Sequence, residues 1–406
     1  MSEDVDTDRY RTEGNTREGT GGSRRRRILL FAGLVLGVLI VIVYVAGGWL
    51  VSERIIDGFR IIPHVVEYDT DVLAVDSAKI TIGVSDESTI TADRDAVMGL
   101  RWEGGYGQIG PAISVDGRTE VRPFTLLSGD LPPVGDDVAD FDSFAFPGDP
   151  SSVGLDFETV SYPGPLGELE AWFVPGKGST WIVGVHGRAA ERSEFLRLLD
   201  ATSDMEYPTL LITYRNDPGA PSTEDSLLLL GQEEHPDVAA GVDYALAHGA
   251  QDVVVAGYSM GGALSLGYVA EEEREVIRGL ILEAPAANIR EIASLRSGEA
   301  LPVGGFVGDS ILAVGRLFVS LRTGLDFDAV DYVERAEELD IPVLLFHGAD
   351  DTTVPVEIGR AFAAARPDLV ELHVIDDAAH VRAWNEGPDR YRATVSEFLG
   401  RIGRSG

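Results

Sequence analysis

A mostly parallel β-sheet with helices on both faces, preceded by a membrane-spanning helix and a small β-rich region, is the α/β architecture this sequence predicts. Three observations predict it. Residues 28–51 run without a single charge, and short alternating runs separated by turn residues fill about 61–150. After about residue 151, apolar runs of strand length alternate with segments of helix length, the rhythm of a sheet covered on both sides.

The N-terminal residues 1–23 are polar and rich in Gly, Thr, Glu and Arg, with no apolar periodicity. With the four arginines Arg24 to Arg27 they are expected to form a disordered tail over 1–27. The 24 residues Ile28 to Val51 follow. As a helix they would rise roughly 36 Å, enough to cross a hydrocarbon core of about 30 Å. A cleaved signal peptide would have a shorter apolar core, usually about 7–15 residues, and a small-residue cleavage site. Val45-Ala46-Gly47 is a poor one, so an uncleaved signal-anchor is expected. Seven arginines precede the span, whereas only Arg54 and Arg60 follow it closely, beside Glu53 and Asp57. The excess of arginine predicts a cytoplasmic N-terminus, with everything after Val51 on the other side of a cell membrane.

Acidic residues outnumber basic ones, 67 to 33, for a formal net charge of −34. Residues 1–51 hold seven bases and six acids, so the acidity belongs to the part beyond the span. Such a surface repels nucleic acid, which excludes DNA or RNA as an expected partner. Cysteine is absent; disulfides, thiolate metal sites and cysteine nucleophiles are therefore ruled out.

Between about 61 and 150, runs such as Ala78-Lys79-Ile80-Thr81-Ile82 and Thr119-Glu120-Val121-Arg122 predict strands. Gly104-Gly105-Tyr106-Gly107 and Pro132-Pro133-Val134-Gly135-Asp136-Asp137 predict turns between them. This β-rich membrane-proximal region, 52–150 with its lead-in, carries no catalytic constellation. It could serve as spacer, cap or docking surface.

From residue 151 to 406 the chain predicts one larger domain. Its strand-like runs include Trp181–Gly187, Thr209–Arg215, Asp252–Ser259, Gly279–Pro285 and Pro342–Gly348, with helix-length segments at Asp237–His248 and Gly261–Glu273. In such sheets the active site lies at the carboxyl ends of the strands. There, after Val253-Val254-Val255-Ala256, stands Gly257-Tyr258-Ser259-Met260-Gly261-Gly262, followed by the helical Ala263-Leu264-Ser265-Leu266. G-x-S-x-G at a strand-to-helix junction marks a sharp turn that lifts the serine hydroxyl above the sheet. Glycine two residues before and after Ser259 removes a clash the turn would otherwise create.

From about 155 to 402 the chain resembles the α/β-hydrolase superfamily. It is most similar to the branch of serine esterases and acylaminoacyl-peptidase-like proteins with a His-Gly oxyanion loop. The resemblance implies that Ser259 is a nucleophile, activated by a base that an acid orients. Phe346-His347-Gly348-Ala349-Asp350-Asp351-Thr352-Thr353-Val354-Pro355 resembles the family's HGxxDxxVP loop. Its spacing makes Asp351 the acid, with Asp350 one residue too early. His380, in Asp376-Asp377-Ala378-Ala379-His380-Val381 after the run Glu371–Ile375, stands where the family places its base. His186 and His347 end strands in His-Gly pairs and are expected to be structural. His373, His235, His248 and His64 fall at the wrong places.

Val185-His186-Gly187-Arg188 resembles the first oxyanion-hole loop. The implied donors are the main-chain N–H groups of Arg188 and Met260. The Arg188 side chain would be solvated or would bind an acidic substrate group. Tyr214-Arg215-Asn216-Asp217, at another strand end, either lines the pocket or anchors its loop. In this family a lid follows the strand ending near Pro285, which places it at about 286–340. Its apolar runs Ile311-Leu312-Ala313-Val314 and Leu317-Phe318-Val319 suit either an acyl chain or the lid's own core.

The resemblance implies acyl transfer through an acyl-enzyme on Ser259, with a small-molecule or lipid-like acyl substrate and no metal or cofactor. A carboxylic ester is the expected substrate bond. Peptidase or amidase activity on the same fold is the alternative, and a non-catalytic tethered binding protein a third. A dehalogenase would need an acidic nucleophile where Ser259 stands.

Overall fold

The computed structural model describes residues 21–61, 66–83, 94–272, 275–300 and 305–403. The tail expected over 1–27 lies outside the described residues as far as residue 20, and so does His64. Helix α1 spans Gly21–Asp57, so the four arginines begin the helix rather than end the tail. Arginine is a good helix former, and nothing in 21–27 breaks the helix begun by the apolar run.

Along most of the apolar run the side chains face outward without a partner in the chain; Leu29 is 72% and Leu50 65% exposed. Among the described residues this is the one helix long and apolar enough to cross a membrane. Its C-terminal end behaves differently. Val51, Ile55, Ile56 and, just beyond the helix, Phe59 are buried in the same core as the large sheet. The helix is thus packed into the fold at one end and bare along the rest. Because Phe59 is 2% exposed, Phe59→Ala is expected to destabilise the protein by about 3–5 kcal/mol. A thermal midpoint equal to wild type would show that this end of α1 is not part of the core.

Seven strands come next: β1 Thr70–Val75, β2 Lys79–Gly83, β3 Met98–Trp102, β4 Gly105–Ile109, β5 Ser114–Asp116, β6 Thr119–Gly129 and β7 Gly135–Asp142. They pair antiparallel in the order β2-β1-β7-β3-β4-β6-β5, and β2 also pairs with β6. That last pairing closes six strands into a barrel, which removes the open edges that invite aggregation. The barrel core holds Val72, Ile80, Ile82, Leu100, Ile109 and Phe124. It also holds an ion pair: Arg122, fully buried, donates through Nε to Glu120 at 2.8 Å. Gly105-Tyr106-Gly107, expected in a turn, lies in β4, and the stretch expected as a turn up to Asp137 already enters β7 at Gly135.

The large sheet is built from β8 Glu158–Pro163, β9 Glu168–Val174, β10 Thr180–Val185, β11 Thr209–Ile212, β12 Asp252–Tyr258, β13 Ile277–Glu283, β14 Val343–Gly348 and β15 Val370–Ile375. Their order is β15-β14-β13-β12-β10-β11-β9-β8. The pairs β8–β9 and β9–β11 are antiparallel, and the remaining neighbours are parallel. Helices α2 Leu196–Thr202, α3 His235–Ala247, α4 Met260–Glu271, α5 Ile289–Ala300, α6 Gly305–Thr323, α7 Val356–Ala365, α8 Ala383–Glu386 and α9 Pro388–Ile402 complete the chain. Residues of α3, α4 and α7 pack in the core on one face, and those of α2, α8 and α9 on the other.

The segment expected as a lid, about 286–340, supplies α5 and α6. Helix α6 lies along the C-terminal part of α1, with Ile311 and Val314 against Gly47 and Gly48. Trp49 meets Phe318 edge-on with centroids 6.1 Å apart. Arg322 sits 4.3 Å from the Trp49 ring centroid and reaches Ser52 and Glu53 at 2.8 and 2.9 Å. Much of the apolar pattern in this segment is therefore spent on α1 and the core.

Candidate active site

Ser259 separates the end of β12 from the first residue of α4. Its φ of 50° and ψ of −114° are unusual for a residue with a side chain, a local strain that the surrounding bonds must hold. The Ser259 N–H donates to the Glu283 carbonyl at 2.9 Å, and its own carbonyl accepts from Gly262 and Ala286 at 3.1 and 3.0 Å. The turn is tight enough that a Cβ on Gly257 would lie 2.6 Å from the Gly261 carbonyl, and one on Gly261 only 1.9 Å from that of Val185. Both glycines are required by close approach of the backbone, as the sequence motif implies.

The structure brings Ser259, His380 and Asp351 together from the loops after β12, β15 and β14. Ser259 Oγ is 2.8 Å from His380 Nε2, and His380 Nδ1 is 2.7 Å from Asp351 Oδ2. An ionised carboxylate only accepts, so Nδ1 carries a proton and a neutral ring leaves Nε2 to accept the serine hydroxyl. Asp351 is buried, and its Oδ1 accepts the N–H groups of Thr353 and Val354 at 2.8 Å each. Asp350 is exposed and donates its N–H to the Ala378 carbonyl at 3.0 Å. Of the neighbouring aspartates, Asp351 alone faces the histidine.

The loop Val185-His186-Gly187-Arg188 passes beside the serine: a Cβ on Gly187 would stand 3.4 Å from that of Ser259. Three side chains hold this loop. Glu194 Oε2 accepts the Gly187 N–H at 2.8 Å. The Tyr214 hydroxyl contacts the carbonyls of His186 and Gly187, each at 3.1 Å. His186 places Nδ1 2.9 Å from the Gly187 carbonyl and Nε2 3.0 Å from Asp217 Oδ2. Both of those atoms are acceptors, so the protonated ring would donate to each. Burial pulls its pKa down, but the charge and hydrogen bond of Asp217 and the Gly187 carbonyl outweigh burial and raise it.

Met260 opens α4, so its N–H is one of the four that a helix leaves without an internal acceptor. It follows Ser259 directly in the chain, and the Gly187–Arg188 loop passes beside the same serine. The Arg188 guanidinium donates to the Arg60 carbonyl at 3.0 Å and so ties this loop to the chain just after α1.

Tyr214, Arg215, Asn216 and Asp217 are all buried and act as anchors. Arg215 Nε pairs with Asp237 at 2.5 Å, and Asn216 donates to the Leu227 carbonyl at 2.9 Å. His347 is buried, with Nε2 2.8 Å from the Val354 carbonyl, and burial lowers its pKa. It thus steadies the Asp351 loop as a neutral ring. Sequence reasoning missed Glu194 and Glu283. Glu283 is buried, which raises its pKa, and its Oε1 accepts the Ala383 N–H at 2.7 Å just past the His380 loop. No local pattern marks either glutamate; both lie beside the site only in three dimensions.

A cavity of about 820 Å³ adjoins His380 and Arg188. Glu191, Ser193, Glu194 and Pro218 also line it, and its remaining wall comes from the barrel and the two segments flanking it, including Arg101, Tyr106, Phe141 and Phe144. None of the described residues in 286–340 lines it. Among the described residues, no cluster of three or more His, Asp or Glu is placed to hold a metal ion.

The alpha/beta hydrolase family matches the chain over residues 173–394. The protein YfhR of Escherichia coli (strain K12) is 23% identical over 250 residues, which cover 60% of this chain and 80% of YfhR. A 2-hydroxy-6-oxononadienedioate/2-hydroxy-6-oxononatrienedioate hydrolase of Burkholderia vietnamiensis is 26% identical over 264 residues, covering 56% and 89% of the two chains. Among solved structures, the Pyrococcus furiosus esterase Pf2001 superposes with a TM-score of 0.50 at 18% identity, over 63% of this chain and 96% of that one.

Proposed function

Since this chain belongs to the alpha/beta hydrolase family, we propose that it is a membrane-anchored serine hydrolase that cleaves a carboxylic ester through an acyl-enzyme on Ser259. One observation carries the reading: an unbroken hydrogen-bonded line from Ser259 through His380 to Asp351, set on a strained strand-to-helix turn.

In this reading Ser259 Oγ attacks the ester carbonyl as His380 Nε2 takes its proton. The carbonyl oxygen becomes an oxyanion that the main-chain N–H groups of Arg188 and Met260 stabilise. Asp351 holds the histidine tautomer and stabilises the imidazolium. The alcohol departs with the proton from Nε2, and the acyl group remains on Ser259. Water then repeats the sequence, with His380 again as base, and releases the acid. Serine acyl transfer of this kind needs no cofactor.

Helix α1 is the anchor in this reading. Its uncharged run has the length of a bilayer core, and the arginines before it set the N-terminus in the cytoplasm. The catalytic residues then stand outside the cytoplasm, close above the membrane.

A panel of 4-nitrophenyl acyl esters and aminoacyl 4-nitroanilides, offered to the full-length protein in detergent, tests the bond class. Ester kcat/KM is expected to exceed amide kcat/KM by at least 100-fold. Amide turnover above ester turnover would replace the esterase reading with a peptidase.

A further inference from the structure

The cavity beside His380 has two halves of different origin. On one side are His380, Val381 and Arg382, with Arg188 to Ala190 of the oxyanion loop. On the other are side chains of β3, β4 and β7 and the residues that follow β7, notably Arg101, Tyr106, Phe141 and Phe144. Among the described residues, none of 286–340 lines this cavity, and residues of α5 and α6 pack instead in the core and on α1.

The barrel is fastened to the loop that carries the histidine. The Asn385 side chain donates to the carbonyls of Val97 and Ser143 at 2.8 and 2.9 Å, and its backbone carbonyl accepts the Val97 N–H at 2.8 Å. The same asparagine accepts from Arg197 at 2.8 Å, and Arg197 also grips the Val381 carbonyl at 2.5 Å, one residue past His380. Barrel position and histidine position are therefore coupled through buried, charge-assisted bonds. The barrel wall is itself preorganised: Arg101 pairs with Asp140 at 2.5 Å, and the Tyr106 hydroxyl donates to Asp142 at 2.6 Å.

We propose that the barrel is a fixed cap that forms the substrate pocket, so that substrate reaches Ser259 through the cavity between barrel and large sheet. This rests on the serine-hydrolase reading and names where its substrate sits. A cavity of about 820 Å³ suits a small-molecule ester and not a folded polypeptide. Its wall includes the aromatic residues Phe141 and Phe144 beside the fixed polar groups of Arg101 and Tyr106. The ester it takes therefore has an apolar part and a hydrogen-bonding part.

The chain has no cysteine, so a single introduced thiol can be modified alone. Ser143 lines the cavity on the barrel side, and Ser114 lies exposed on β5, outside the cavity lining. Full-length Ser143→Cys and Ser114→Cys proteins are treated with a small or a bulky methanethiosulfonate, and the rate of fluorophosphonate labelling is then followed. The bulky adduct at position 143 is expected to slow labelling at least 10-fold, the methyl adduct much less, and dithiothreitol to restore the rate. Neither adduct at position 114 should act. Complete modification at 143 with an unchanged rate would overturn the cap and move entry to another side. Absence of labelling before any thiol treatment would instead overturn the hydrolase reading, and this inference with it.

Discussion

Ser259→Ala is expected to lower ester turnover by about 10⁴- to 10⁶-fold, the scale seen when a nucleophile that works as part of a unit is removed. The loss should fall on kcat, with little change in thermal midpoint. The hydroxyl's bond is to His380 at 2.8 Å, and His380 stays held by Asp351 without it. The turn is fixed by backbone bonds from Ser259 to Glu283, Gly262 and Ala286, all of which alanine keeps. A loss below 10-fold in a folded variant would show that the hydroxyl is not the attacking group.

The second large effect separates two adjacent aspartates. Asp351→Asn is expected to cost about 10⁴-fold in kcat, because an amide can present N–H to the imidazole and stabilise the wrong tautomer. Asparagine keeps one oxygen for the Thr353 and Val354 N–H groups, so the loop should survive. Asp350→Asn should stay within about threefold of wild type, since that side chain is exposed and exposed substitutions of this kind are mild. Equal losses in both variants would show that the loop, and not the carboxylate facing His380, is being measured.

The difference between those two residues was expected from the sequence through the loop's resemblance to the family's HGxxDxxVP pattern, whose spacing distinguishes position 351 from 350. Ser259 stood out through G-x-S-x-G at a strand-to-helix junction, residues adjacent along the chain, whereas His380 was expected only where the resemblance places the family's base. The parallel strands from β10 onward were legible too, since strands buried on both faces read as continuous apolar runs. What was not legible is whatever depends on distant pairing. Barrel closure rests on β2 meeting β6, Ile80 opposite Arg122, a contact across 42 positions in sequence that no local pattern announces.

Glycine misled in one place. Gly105-Tyr106-Gly107 looks like a turn, yet it runs in β4 because bulky rings cover the backbone there. A Cβ on Gly107 would lie 2.3 Å from the Phe124 ring. Apolar residues in 305–323 likewise have no tag that says whether they face a substrate, the core or α1. Glu194 reaches Gly187 across seven positions at 2.8 Å, and only the fold reveals it as one of the side chains that hold the loop beside Ser259.

The serine-hydrolase assignment is tested most directly by fluorophosphonate labelling of the full-length protein in detergent, beside its folded Ser259→Ala variant. The account predicts covalent labelling approaching one probe per chain in the wild type and none in the variant. No labelling of folded wild type, or labelling that survives in the variant, would contradict it.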